Sequence, residues 1–391
     1  MPHAHAPPRR DSCASTQRRR AKTSGRPFPP PCVRGDGWHD PPGRSQGGCR
    51  SAQHRGGPVS QLLSAPWLTR QLRQLLTQRG HAWLLQGPSG LGQYTLALDL
   101  ARAWLCEKPT PAGACGQCES CHAIDVRTHA DLCVLMPETV MQQRQWPLGE
   151  KAQAELDDKK RKPSREIRVD AMRDAIEFSQ RTSASGRGKV VLVYPAERMN
   201  AVTANALLKT LEEPAGDVKF VLASEAAQQL LPTIRSRCLM HAMAWPQEQE
   251  LAPWLAEQGM DADAAAVWLR AAGGRPEDAL ALGASGMDAS RWSGLPKAVQ
   301  RGDPAVMQGW SPAEIVLTLH KICHDMQLHH CGAAPRFFRA QDLPRPASFA
   351  ALSQWGKALA RATRTVEHPF NPGLMQEALL SQAKNALNSR H

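Results

Sequence analysis

The sequence predicts an α/β domain built on a parallel sheet, followed by all-helical segments. Three observations carry this. A short apolar run, Ala82-Trp83-Leu84-Leu85, leads into a glycine-rich turn at residues 87–92 and then a helical pattern over 95–106; strand, glycine turn and helix in that order open a parallel α/β sheet. Two more runs of buried-strand character follow, Val190-Val191-Leu192-Val193 and Phe220-Val221-Leu222-Ala223, with a helix over 204–213 between them that Pro214 stops. After Trp245-Pro246 the strand signals vanish and only helical periodicity remains.

The first helix runs from Pro66 towards Gly80, with Leu68, Leu72, Leu75 and Leu76 at helical spacing. In the helix over 95–106, Leu96, Ala97, Leu100 and Trp104 point inward. Residues 138–165 are polar and end in Lys159-Lys160-Arg161-Lys162-Pro163, which reads as a long solvated insertion rather than a binding patch. Short helical patterns occupy 247–257, 261–272 and 276–282, with a hinge expected at 283–286. Ser311-Pro312-Ala313-Glu314 is a capping box ahead of Ile315, Leu319, Ile322 and Met326, and Asn371-Pro372 opens another helix. Between them Phe349, Leu352, Trp355, Leu359 and Val366 form an apolar stripe, expected in a bundle core.

Of 391 residues, 42% are hydrophobic and 21% charged, an ordinary soluble composition. No apolar run approaches the ~18 residues of a spanning helix. The net charge of +12 invites a nucleic-acid reading. Its location weakens that reading: residues 1–58 hold 11 Lys and Arg against 3 Asp, so the remaining chain is only mildly basic. The same stretch has ten of the 31 prolines and no Leu or Ile, so it is expected to be disordered. It lacks the apolar core of a secretory signal, although its Arg and Ser content leaves a transit-like reading open. An upstream start codon would add such a tail to a protein whose first patterned residue is Val59; an inert tail and a nucleic-acid arm are the alternatives. Eleven cysteines without an export signal point to a reducing, cytoplasmic compartment.

Three motifs carry chemistry. Gly87-Pro88-Ser89-Gly90-Leu91-Gly92-Gln93-Tyr94 has the glycine skeleton of a phosphate-cradling loop in the strand-to-helix context that the motif requires. Gln93 stands where a lysine would neutralise phosphate, and Tyr94 where a small hydroxyl residue would hold magnesium. The strand at 190–193 is followed by Tyr194 and Pro195, neither of which can coordinate magnesium or polarise water. Gly87, Gly90, Gly92, Gln93 and Tyr94 thus form a degenerate loop, expected not to hydrolyse ATP. Cys106, Cys115, Cys118 and Cys121, spaced C-x8-C-x2-C-x2-C, suit a closed tetrahedral structural zinc site, with an iron–sulfur cluster, a redox pair or unrelated thiols as alternatives. His122 and His129 lie nearby but are surplus to four thiolates. Finally, Ser236-Arg237-Cys238 places an arginine where it can act as a finger in a neighbour's site.

Together these residues resemble the delta-prime subunits of bacterial DNA polymerase III clamp loaders, of the AAA+ superfamily. The resemblance rests on His81-Ala82-Trp83-Leu84-Leu85-Gln86-Gly87-Pro88, the four-cysteine module, Thr128-His129-Ala130-Asp131, the run from Ala204 through Leu207-Leu208-Lys209-Thr210-Leu211-Glu212-Glu213 to Pro214, and Leu231-Pro232-Thr233-Ile234-Arg235-Ser236-Arg237-Cys238. It runs from about Pro66 to the C-terminus, weakens after residue 285 and is absent from the basic tail over 1–58; it implies an AAA+ α/β domain with its zinc module over 59–245, a helical lid over 246–286 and an all-α collar that joins an oligomer over 287–391. It also implies a rigid, non-hydrolysing subunit with one structural Zn2+, whose Arg237, flanked by Ser236 and Cys238, completes the ATP site of an adjacent gamma or tau subunit. Such an assembly, which includes a delta subunit, places a sliding clamp on primed DNA in the nucleoid-associated replisome as part of the polymerase holoenzyme. The lid of active relatives carries an arginine beside Asp-Ala-Leu; alignment on Asp278-Ala279-Leu280 puts Glu277 there, a negative charge where phosphate would be. Two other readings remain at this point: a self-sufficient ATPase of the motor-subunit type, and a zinc-dependent DNA-binding module.

Overall fold

A computed structural model describes residues 65–345, 347–366 and 371–389. The expected tail over 1–58 lies outside them. The first part of the chain runs α1 (Pro66–Leu76), β1 (Ala82–Gln86), α2 (Gln93–Leu105), α3 (Glu119–Asp125), β2 (Leu132–Leu135), α4 (Glu138–Gln143), α5 (Glu150–Asp157), α6 (Val169–Gln180), β3 (Lys189–Val193), α7 (Ala201–Glu212), β4 (Val218–Ser224), α8 (Pro232–Arg235) and β5 (Leu239–Ala242). Among the described residues helices follow without further strands: α9 (Glu248–Glu257), α10 (Ala262–Ala271), α11 (Pro276–Ala284), α12 (Ala289–Arg301), α13 (Pro312–His330), α14 (Phe349–Thr365) and α15 (Pro372–Asn388).

The five strands form one parallel sheet in the order β2-β3-β4-β1-β5, with Trp83 paired to both Val221 and Leu239. Parallel strands need crossovers, and the helices that make them cover both faces. Alternation sorts the strand side chains. Trp83, Leu85, Val190 and Leu192 pack under α1 and α2 with Leu72, Leu96 and Leu100, while Leu84, Val191, Val193 and Phe220 pack on the opposite face with Met172, Leu207 and Leu211. This is the parallel α/β arrangement that the sequence predicts, with an all-helical region after it.

The helical region has its own core, in which Trp268, Trp292, Leu319, Leu352, Trp355 and Leu380 come together. Helix α10 serves both cores: Ala265 packs with the sheet cluster and Trp268 with the helical one. Helix starts follow the caps read from sequence. Ser311 Oγ accepts from Glu314 N at 3.3 Å while Glu314 Oε2 accepts from Ser311 N at 2.7 Å, and Asn371 Oδ1 accepts from Gly373 N and Leu374 N.

Four expectations need correction. Residues 138–165 are not simply solvated, because α4 and α5 form there. Buried Glu138 takes Arg161 on both carboxylate oxygens, and Trp146 is buried. The helix expected from residue 204 begins at Ala201, because Asn200 Oδ1 caps it through Thr203 N at 3.0 Å. Phe349 is exposed although Leu352, Trp355 and Leu359 of its stripe are buried; it sits at the first turn of α14, before the helix reaches the core. Gly283 lies inside α11 against Met260 and Trp268, so the expected hinge shrinks to the residues after Ala284.

Candidate functional site

The phosphate-type loop leaves the carboxyl end of β1, where open α/β sheets place their ligand crevices. Gly90 and Gly92 have φ of 76° and 95°, left-handed values that explain the glycines. The loop is closed from two sides. From within, Gln93 is buried and donates Nε2–H to the carbonyls of Gly87 at 2.8 Å and Pro88 at 2.6 Å, so its amide holds the turn instead of reaching outward. From outside comes the start of α11. Glu277 N donates to Gly90 O at 3.1 Å, Thr95 Oγ1 donates to Glu277 Oε1 at 3.1 Å, and Ser89 Oγ donates to Asp278 Oδ2 at 3.0 Å. A Cβ on Gly90 would lie 2.6 Å from the Asp278 carboxyl, so the approach itself requires glycine. Arg275 pairs with Asp278 at 2.8 Å.

Two carboxyl groups therefore stand on a loop and helix start of the kind that otherwise receive anions. Burial raises the Glu277 carboxyl, opposed by the nearby Arg144 charge and the Thr95 hydrogen bond. The neighbouring Glu225 is also raised by burial, and it accepts from Tyr194 Oη at 2.7 Å. Tyr94 is buried, accepts from Trp146 Nε1 at 2.7 Å and lies 5.3 Å from Tyr194, with the Arg144 guanidinium 4.1 Å over its ring. Arg144, Trp146 and Glu225 were not singled out from the sequence; nothing in their local spacing marks them.

The four cysteines converge. Their sulfurs lie within 4.8 Å of one another, with Cys106–Cys115 at 3.5 Å and Cys106–Cys118 at 3.8 Å. Cys106 caps the end of α2, Cys118 caps the start of α3 and Cys121 lies in its first turn, while Gly113 and Gly116 at positive φ turn the connecting loop back. A tetrahedron with metal–sulfur bonds of about 2.3 Å has edges of about 3.8 Å, so this cluster can hold one metal ion. Backbone N–H groups of Gln117 and Cys118 pull the Cys115 thiol down to about 6, making it thiolate at neutral pH; burial pushes Cys121 up to about 12. His122 is exposed. His129 is not a ligand either: its Nε2 lies 2.7 Å from Ser120 Oγ and its Nδ1 accepts from Asp131 N at 3.1 Å, with burial lowering its basicity.

Ser236, Arg237 and Cys238 join α8 to β5. Arg237 donates Nε–H to Glu212 Oε1 at 2.6 Å and Nη1–H to Thr233 O at 2.9 Å, so the two motifs at 204–214 and 231–238 meet at one ion pair. Ser236 is exposed, and burial pushes the Cys238 thiol up to about 12, which leaves it without nucleophilic character at neutral pH. In a parallel sheet the amino end of β5 and the carboxyl end of β1 point to opposite edges. Arg237 and the chain's own loop therefore lie apart, separated by the length of β1.

A parallel α/β domain with such a loop at the end of its first strand, followed by a helical region, defines the class as that of phosphate-loop α/β domains. Residues 66–246 match the model of a family described as "DNA polymerase III, delta subunit". The chain is similar to DNA polymerase III subunit delta' of Pseudomonas aeruginosa, 40% identical over 230 residues covering 58% of this chain and 63% of that protein. It is also similar to subunit delta' of Escherichia coli, 36% identical over 223 residues covering 56% and 60%. It thus spans less than two thirds of the length of these relatives. Subunit tau of Salmonella typhimurium is 35% identical over 52% of this chain and 28% of its own length. A solved gamma-subunit-related protein of Thermotoga maritima aligns over 82% of this chain and all of its own at 17% identity, with a TM-score of 0.43. The delta-prime resemblance read from the sequence thus stands on named relatives.

Proposed function

We propose that the chain is a non-hydrolysing clamp-loader subunit that supplies Arg237 in trans to the ATP site of an adjacent gamma- or tau-type subunit. The observation that carries the proposal is the doubly closed loop. Gln93 is spent on the Gly87 and Pro88 carbonyls, and the Glu277 and Asp278 carboxyl groups lie where phosphate charge would be repelled. Hydrolysis needs a cation over the leaving phosphate and a metal ligand at the end of β3, and Gln93, Tyr94, Tyr194 and Pro195 provide neither. The position of Arg237, away from its own loop, supports action on a neighbour. A planar guanidinium there would stabilise charge developing on a γ-phosphate.

In this reading residues 59–245 form the AAA+ domain, 246–286 the lid and 287–391 the oligomerising collar of a loader that includes a delta subunit and places the sliding clamp on primed DNA. The cysteine cluster holds one structural zinc. Its sulfur spacing matches a single tetrahedral ion, whereas a multi-iron cluster would have to push the sulfurs further apart. When bound, the zinc closes the loop between α2 and α3 and takes no part in catalysis. No described helix is long and apolar enough to cross a membrane, and the reading places the protein in the cytoplasm with the replisome.

The test is ATP turnover by the reconstituted loader with primed DNA. Arginine fingers are worth about 10³–10⁵ in kcat at the site they serve. Arg237→Ala should therefore silence one site of the assembly, while the isolated chain hydrolyses nothing. Wild-type turnover in the Arg237→Ala assembly would remove the finger assignment. Turnover by the chain alone, lost on altering residues 87–92, would restore the self-sufficient ATPase.

A further inference from the structure

The segment Thr128-His129-Ala130-Asp131 takes no part in the proposed trans-acting site, yet it is wired into the cysteine cluster. Asp131 N donates to His129 Nδ1 at 3.1 Å. With that nitrogen accepting, the proton of the neutral ring sits on Nε2 and is donated to Ser120 Oγ at 2.7 Å. Ser120 must then aim its own hydroxyl hydrogen elsewhere, and it donates to Leu105 O at 2.7 Å. The chain of donors runs in one direction only. Its ends are telling: Leu105 directly precedes Cys106, and Ser120 sits between Cys118 and Cys121. Ser120 N also donates to Glu107 Oε1 at 3.1 Å, on the other side of Cys106. The relay therefore joins, across space, the two backbone segments that carry Cys106 and the Cys118–Cys121 pair, which the chain itself connects through the eight-residue loop at 107–114. Its far end is rigid, because the Asp131 carboxylate is held by Ser183, Ala184, Ser185 and Lys189.

We propose that His129 is a positioning residue for the four-cysteine metal site: through Ser120 it fixes the distance between Cys106 and the Cys118–Cys121 turn, and so sets how tightly the site holds its ion. This rests on the reading that the cluster binds zinc. Partners that orient metal ligands typically contribute about 10–100-fold in metal affinity.

The experiment measures zinc affinity of the full chain by competition with a chromophoric chelator, together with the absorption spectrum of the cobalt(II)-substituted protein. The wild-type chain should hold one zinc; if it holds none, the zinc reading fails and the relay with it. His129→Ala should weaken zinc retention 10–100-fold. Ser120→Ala should do the same, and the double variant should be no worse than either alone, because both break one relay. Two near-isosteric variants separate positioning from simple bracing. His129→Gln keeps a donor near Nε2 for Ser120 and should retain affinity within a few-fold. His129→Asn keeps only an acceptor near Nδ1 for Asp131 N and should lose as much as His129→Ala. Zinc affinity and cobalt spectrum unchanged in a folded His129→Ala chain would overturn the proposal. So would Asn retaining affinity while Gln loses it.

Discussion

Replacing Asp131 by alanine removes the acceptor on which the segment before β3 is built. The carboxylate is fully buried and accepts from Ser183 Oγ at 3.0 Å, Ala184 N at 2.8 Å, Ser185 N at 2.8 Å, Ser185 Oγ at 2.7 Å and Lys189 Nζ at 3.2 Å. Lys189 is itself buried, and its ammonium also lies 4.0 Å from the centre of the Phe178 ring. Hydrogen bonds to a charged group contribute about 1.5–3 kcal/mol each, so adding the four from Ser183, Ala184 and Ser185 would give roughly 6–12 kcal/mol. That sum overstates the loss, since Ser185 is exposed and its segment can turn to water. The part that cannot relax is the stranded Lys189 ammonium, and breaking a buried ion pair costs about 3–5 kcal/mol. Asp131→Ala should therefore destabilise the chain by about 3–5 kcal/mol in urea unfolding, and Asp131→Ala/Lys189→Met should recover most of it. The pH dependence has a definite sign. Burial alone would raise the Asp131 carboxyl, but the donors from Ala184, Ser185 and Ser183 outweigh it and hold it below the usual carboxylate range. The unfolded state then binds the extra proton, so the contribution is complete above about pH 5 and is lost as pH falls below about 3.9. A cost under about 1 kcal/mol at neutral pH, or a wild-type advantage that grows in acid, would refute this reasoning.

The closed loop predicts an asymmetry in rescue. Gln93→Lys/Tyr94→Thr should not restore binding of a fluorescent ATP analogue, whereas adding Glu277→Ala and Asp278→Ala should; binding by the two loop changes alone would show that the acidic residues do not block the site. The Arg237–Glu212 pair is largely solvent-facing, with side chains 30% and 47% exposed, and such pairs are worth about 0–1 kcal/mol. Glu212→Gln should thus leave stability nearly unchanged and tighten association with the ATPase subunit by at most about fivefold, measured by titration calorimetry; a change beyond about tenfold would mean that Glu212 does more than park the arginine.

What could be read from the sequence was local. The capping box at Ser311 and Glu314, the cap at Asn371, and the strand, turn and helix from Ala82 onward each span a few residues whose spacing states the geometry directly. The missed strands β2 and β5 have four residues each; Leu239 and Met240 of β5 are exposed, so no buried run marks it, whereas Leu132-Cys133-Val134-Leu135 of β2 is an apolar run of the same kind as those at 190–193 and 220–223 and was legible in the same way. The helices over 138–157 were hidden for a different reason. Their stability leans on Glu138, Arg161 and Glu155 coming together, and charges that pair in space look like solvated charges in sequence.

The same limit separates what was read of the degenerate loop from what was not. Sequence spacing shows which groups it lacks: no lysine at 93, no small hydroxyl at 94, no carboxylate at 194 or 195 directly after β3. It cannot show what the remaining groups do. Ser89 reaches Asp278 across 189 positions and Thr95 reaches Glu277 across 182, while Gln93 turns back only six residues to Gly87. The loop has exchanged partners as well as lost them: donors that would face a nucleotide's charge now hold the chain's own carboxyl groups. Helix α11 is thereby fastened to the sheet domain by contacts internal to the protein. A subunit that depended on nucleotide for this contact would loosen when the nucleotide left. Here donors and acceptors both belong to the one chain, so the contact between α11 and the loop does not require a nucleotide.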